Sequence, residues 1–62
     1  MDSDRAELNA LANSLEDLTR RITAVADRLR GTPRSDVASG LYEAERSLIS
    51  ASRQVERVVR SM

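Results

Sequence analysis

The sequence contains no cysteine and no histidine. Disulfide bonds and thiolate chemistry are therefore excluded, and so is the side chain that most often acts as general base or metal ligand near neutral pH. Eight serines are present, but no Cys, His or Lys is available to activate one of them as a nucleophile. We therefore expect a protein that is not an enzyme, with no catalytic residue, no metal site and no cofactor.

Long apolar runs are also missing. The longest aliphatic run is two residues, as at Val58-Val59, whereas a membrane-spanning helix needs roughly 20. The opening MDSDRAE has no basic segment followed by an apolar one, which is the pattern of a secretory signal. We expect a cytoplasmic protein without a membrane partner.

Lysine is absent too, so all ten basic residues are Arg, balanced by ten acidic residues. One interpretation is a bacterial genome with GC-rich coding, and the other is selection for bidentate contacts with phosphate or carboxylate. Because the net charge is zero, the chain as a whole has no built-in attraction to nucleic acid or acidic membranes.

Aliphatic residues are spaced alternately three and four apart, which predicts two coiled-coil-like helices. The chain is at most one domain, residues 1–62, with helix one at about 4–30, a turn at 31–32 and helix two at about 33–61. Gly31 suits a left-handed position just after helix one, and Thr32-Pro33 suits the start of helix two. Gly40 leaves an alternative open, in which 31–40 is all loop. The predicted seam is Leu8, Leu11, Leu15, Leu18, Ile22, Val25 and Leu29, then Val37, Leu41, Ala44, Leu48, Ala51, Val55, Val58 and Met62.

An antiparallel pairing about Pro33 gives every seam residue of helix one a seam partner on helix two, for example Leu18 with Leu48 and Ile22 with Ala44. The charge distribution favours the same pairing. Residues 1–19 have a net charge of −4 and would lie beside residues 46–62, which have +3. Residues 20–35 have +4 and would lie beside residues 36–45, which have −3. A 62-residue hairpin without disulfide or metal has little core, so association is its remaining source of stability. The predicted fold class is all-α, an antiparallel two-helix hairpin that pairs into a four-helix bundle homodimer.

Helix two carries apolar or small residues outside the predicted seam, which indicates more than one packing partner. The first group is a strip of small residues on one shoulder of the helix, and the second is a patchier apolar stripe on the other shoulder. The predicted protein interface is Gly40, Ala44, Ser47 and Ala51 together with Ala38, Tyr42, Ile49 and Val59.

Arginines on the outer side of helix two support an alternative, nucleic-acid binding. Arg46, Arg53 and Arg60 recur every seventh residue and Arg57 lies beside them. In its length and its mixed Ala and Leu layers the chain resembles the RNA-binding helical hairpin Rop, although no RNA-contacting residue pattern matches. Zero net charge and a single aromatic residue count against this alternative. We expect a non-enzymatic adaptor module that binds a second copy of itself and another protein.

Overall fold

The computed structural model describes residues 2–62, which form two α-helices joined by a short turn. Helix α1 runs Asp2–Leu29 and helix α2 runs Ser35–Ser61, and the two pack against each other along their length. The Cα atoms extend 49 × 14 × 10 Å, so the hairpin is long and only one layer thick. The prediction of an all-α hairpin is confirmed.

The turn at 30–34 is held by the backbone conformation of one glycine and the hydroxyl of one threonine. Gly31 has φ +80°, as predicted for the residue that ends helix one, because a side chain at that position would clash with the backbone. The Thr32 hydroxyl donates to Leu29 O at 2.5 Å and accepts from Arg34 N at 3.0 Å. Helix α2 therefore begins at Ser35, two residues later than expected, and Pro33 belongs to the turn. The alternative in which 31–40 is all loop is wrong, because Gly40 lies inside α2.

The inner seam, where the two helices meet, is lined mainly by small residues. Ala12 and Ala26 of α1 are buried, as are Ala38 and Ser52 of α2. Ala26 is wholly inaccessible to solvent. Small side chains let two helices approach closely, and here they leave little apolar volume between them.

The predicted seam is wrong at Leu11, Leu18 and Val25 of α1 and at Val58 and Met62 towards the end of the chain, all of which are exposed. Leu11, Leu18 and Val58 are 51%, 44% and 49% exposed. The buried residues of α1 are instead Ala12, which follows Leu11, and Ala26, which follows Val25. On both helices the buried line lies one residue towards the C-terminus of the predicted line, a rotation of about 100°. Leu15, Ile22, Leu41 and Leu48 stay half-buried at the edge of the contact.

The direction of this rotation decides where the exposed side chains lie. On each helix the aliphatic line lies one residue before the buried line. Because the two helices are right-handed and antiparallel, this offset of about 100° points both aliphatic lines towards the same side of the hairpin. The predicted seam therefore does not close within one chain. It opens onto a single surface.

Candidate interaction surface

One broad side of the hairpin carries large aliphatic residues in contact with solvent. Each exposed line repeats every seventh residue, so it follows one side of its helix. The line on α2 includes two alanines, and both are half-buried. We call this surface the apolar face; its residues are Leu11, Leu18 and Val25 of α1 and Ala44, Ala51 and Val58 of α2.

A groove runs along the apolar face between the helices. It is lined by Leu18, Ile22 and Val25 of α1 and by Leu41 of α2, with Arg21 at its rim. Four of these five residues are aliphatic, so the groove offers little to a polar ligand. It suits a row of aliphatic side chains from another helix.

The two outer edges of the apolar face differ in charge. The α1 edge carries exposed charged residues and the α2 edge carries exposed residues that are small or uncharged. Positions along each edge are seven residues apart and adjoin the exposed aliphatic line. The α1 edge is Glu7, Ser14, Arg21 and Arg28, and the α2 edge is Gly40, Ser47, Gln54 and Ser61.

The other broad side, the opposite face, is mostly polar. Its groove is lined by Glu16, Thr19 and Arg20 of α1 and by four residues of α2 with one aliphatic among them. Two acidic and two basic side chains line it, so it has no dominant sign of charge. The four residues from α2 are Ile49, Ser52, Arg53 and Glu56.

A polar hydrogen bond crosses the inner seam. The Thr23 hydroxyl of α1 donates to the Glu45 carboxylate of α2, and both residues are half-buried. Further along the seam, the buried Ser52 hydroxyl has no hydrogen-bond partner within residues 2–62. Sequence reasoning missed this polar seam. The only sequence signal for it is that Ala38, Glu45 and Ser52 are seven residues apart and so lie on one line of α2. The charge of Glu45 argues against burying that line.

The single tyrosine fixes the hairpin near its turn. The Tyr42 hydroxyl donates to Asp27 Oδ1 at 2.5 Å, which joins the two helices on the opposite face. This hydrogen bond raises the pKa of Tyr42 above its ordinary value, and desolvation and the negative charge of Asp27 act in the same direction. Tyr42 therefore contributes to the hairpin itself.

The eight predicted interface residues do not form one surface. Ala44 and Ala51 lie on the apolar face, with Gly40 and Ser47 on its α2 edge. Ile49 is exposed on the opposite face, and Tyr42, which is half-buried, lies on the same side with its hydroxyl bonded to Asp27. Two of the eight lie on the inner seam between the helices: Ala38 is buried there, and Val59 is half-buried on the same line.

The arginines proposed as nucleic-acid contacts, Arg46, Arg53, Arg57 and Arg60, are all exposed, away from the apolar face. Arg53 lies in the opposite-face groove beside Glu16, Glu56 and Arg20. The ion pairs found within residues 2–62 join Asp17 to Arg20 and Arg21, at 3.7 and 3.8 Å, and none of them links the two helices. The acidic residues beside Arg53 lower the positive potential that a phosphate backbone would meet there.

Neither helix of the described chain is long and apolar enough to cross a membrane. Across residues 2–62, no group of acidic side chains is arranged to hold a metal ion. No protein-family model, curated protein or solved structure matches the chain, so its function has to be inferred from these surfaces.

Proposed function

We propose that this protein is a non-enzymatic interaction module that acts as a homodimer, in which two hairpins bury their apolar faces against each other as a four-helix bundle. One observation carries the proposal. Leu11, Leu18, Val25 and Val58 are exposed on one side while the inner seam is filled by alanines. Burial of exposed aliphatic area is the main source of free energy for association in water.

The size of the hairpin's broad side suits a dimer. A hairpin of 49 × 14 Å offers roughly 700 Å² in projection on its broad side. Stable protein interfaces bury about 800 Å² from each partner. A second hairpin of the same length covers the whole face.

The proposal assigns a different role to the opposite face, which stays accessible in the dimer. Ile49 and the exposed part of Tyr42 lie there, and we propose that another protein binds around them. An adaptor needs two such surfaces, one for assembly and one for its partner. A cytoplasmic location, expected from the sequence, is part of the same proposal.

Sedimentation equilibrium at micromolar concentrations tests self-association directly. The expected mass is about 14 kDa, twice that of the 6.9 kDa chain. A folded monomer at these concentrations, with helical content intact by circular dichroism, would refute the homodimer. The control variant Arg53→Gln alters the opposite face only and should sediment as the wild type does.

Salt dependence separates a protein partner from nucleic acid. One variant changes Arg46, Arg53 and Arg60 to Gln, and a second changes Tyr42 and Ile49 to Ser. If a protein binds the opposite face, only the second variant loses the cellular partner, and salt has little effect on affinity. If nucleic acid binds, the arginine variant loses the partner and the logarithm of affinity falls steeply with the logarithm of salt concentration. Circular dichroism must show that the Tyr42/Ile49 variant is folded, because Tyr42 also joins the helices.

A further inference from the structure

The two edges of the apolar face differ in charge, and this difference favours one way of packing two hairpins together. Two hairpins joined face to face by a two-fold axis have two arrangements. In one, each helix lies beside the same helix of its partner, with the turns at opposite ends of the bundle. In the other, α1 lies beside the partner's α2, with the turns at the same end.

We infer that α1 packs antiparallel against α1 of a second copy, and α2 against α2, with the turns at opposite ends of the bundle. This inference rests on the proposed self-association and adds its geometry. The charges on the α1 edge carry it. Glu7 lies near one end of that edge and Arg28 near the other, with Ser14 and Arg21 between them.

Antiparallel pairing of α1 with itself gives each of these side chains a partner. When the two-fold axis passes near Leu18, Glu7 lies beside Arg28 of the partner subunit, and Ser14 lies beside Arg21 of the partner subunit. The axis repeats both pairs, so each dimer has two carboxylate–guanidinium pairs and two arginine–hydroxyl pairs. Arg21 already lines the groove of the apolar face with Leu18 and Val25, and its guanidinium lies 3.8 Å from Asp17 of the same helix.

The other arrangement leaves the same charges without partners. There the α1 edge faces the α2 edge, which is made of Gly40, Ser47, Gln54 and Ser61 and bears no charge. Glu7 and Arg28 would be partly desolvated without an opposite charge, which is unfavourable, whereas Arg21 keeps Asp17 of its own helix in either arrangement. In the inferred arrangement the uncharged α2 edges meet each other, and their small residues allow close approach.

Engineered cysteines test the inference, because the chain has none of its own. In the double variant Ser14→Cys/Arg21→Cys the new thiols are about 10.5 Å apart on one helix, too far to join within a chain. Mild oxidation should link most molecules into covalent dimers. The matched variant is Ser14→Cys/Gln54→Cys, because the Thr23–Glu45 hydrogen bond sets a register in which Gln54 is level with Ser14. Its thiols meet between chains only in the other arrangement, so it should stay mostly uncrosslinked.

Sedimentation of both variants under reducing conditions separates the two proposals. A monomer would show that self-association fails, and with it the proposed function. A dimer that crosslinks through Ser14→Cys/Gln54→Cys, or through neither pair, would overturn the inferred packing and leave the homodimer standing. Covalent dimers from Ser14→Cys/Arg21→Cys alone would support it.

Charge exchange gives an independent measurement. Glu7→Arg and Arg28→Glu should each raise the dimer dissociation constant about tenfold, because each creates two like-charge pairs. The double variant should return to within about threefold of the wild-type dissociation constant. Within one chain both changes oppose the helix dipole, and the two sites are about 31 Å apart, so only pairing between chains restores affinity. A double variant weaker than either single variant would contradict the inference.

Discussion

The inner seam and the apolar face differ in the size of their side chains. The seam holds buried Ala12, Ala26 and Ala38, whereas the apolar face exposes Leu11 and Leu18. A monomer optimised for its own stability would bury the leucines and expose the alanines, because burying a leucine stabilises by about 1.5–3 kcal/mol. This difference is the physical basis of the proposed self-association.

A charged residue introduced into the apolar face should have the largest effect on dimerisation. Leu18→Glu should weaken the dimer by about 3–5 kcal/mol, more than a hundredfold in dissociation constant, because one carboxylate from each subunit would be buried among aliphatic side chains close to the two-fold axis. Sedimentation equilibrium measures the loss. Ile49→Glu, on the opposite face, is the matched control and should leave the dimer intact. Equal effects of the two changes would mean that the apolar face is not the dimer interface.

A larger side chain in the inner seam is expected to have the next largest effect. Ala26 is 0% exposed, so Ala26→Leu forces the two helices apart and should lower the free energy of unfolding by about 1–3 kcal/mol. Chemical denaturation followed by circular dichroism measures the change. Ala24→Leu, at an exposed position of the same helix, is the control. Unchanged stability in Ala26→Leu would show that the seam is loosely packed.

Ala44→Leu and Ala51→Leu probe the apolar face from the α2 side. Each should cost about 1–3 kcal/mol by overpacking the dimer, or change the number of subunits. Thermal melting and sedimentation of the single and double variants report the two outcomes. If the double variant melts at a higher temperature as an unchanged dimer, the apolar face was underfilled and close packing at these alanines is wrong.

The two glycines should respond in opposite ways to substitution by alanine, because one lies in the turn and the other inside α2. Gly31→Ala should destabilise by about 1–2 kcal/mol because its φ of +80° is strained for any residue with a Cβ. At concentrations low enough to keep the hairpins apart, Gly40→Ala should stabilise α2 by about 1 kcal/mol, since a Cβ at Gly40 meets nothing within 4 Å in the single hairpin. Melting temperatures should move in opposite directions. A loss of stability in Gly40→Ala that appears only at concentrations where the protein is a dimer would show that a partner helix lies against this residue.

The smallest expected effect concerns the pH dependence of Tyr42. Because its hydrogen bond to Asp27 raises the folded-state pKa, the stabilisation is fully present below the unfolded-state pKa of about 10 and is lost as pH rises through the folded-state pKa. Asp27→Asn should shift the tyrosinate absorbance transition to lower pH. Asp36→Asn is the control, and an identical titration in both variants would mean that the bond to Asp27 does not form in solution.

The helices, the turn and the pairing direction were predictable because they follow from local patterns. The spacing of aliphatic residues fixes two helices, and the Gly31 to Pro33 segment fixes the turn between them. The candidate site was only half predictable. The sequence predicts interface roles for Ala44 and Ala51, which lie on the apolar face, but it places Leu11, Leu18 and Val25 in the interior, where the structure does not have them, because periodicity identifies an apolar line without saying what covers it.

The sequence by itself determined that this protein is a pair of amphipathic helices with an apolar line on each. Only the tertiary structure decided which way those lines point. That outcome depends on packing between the helices: alanines at positions such as Ala26 and Ala38 allow a close approach, and the Thr23–Glu45 hydrogen bond joins the helices on the side away from the leucines. Contacts between helices set this rotation, and such contacts are a property of the folded pair, whereas the heptad spacing is a property of each helix alone.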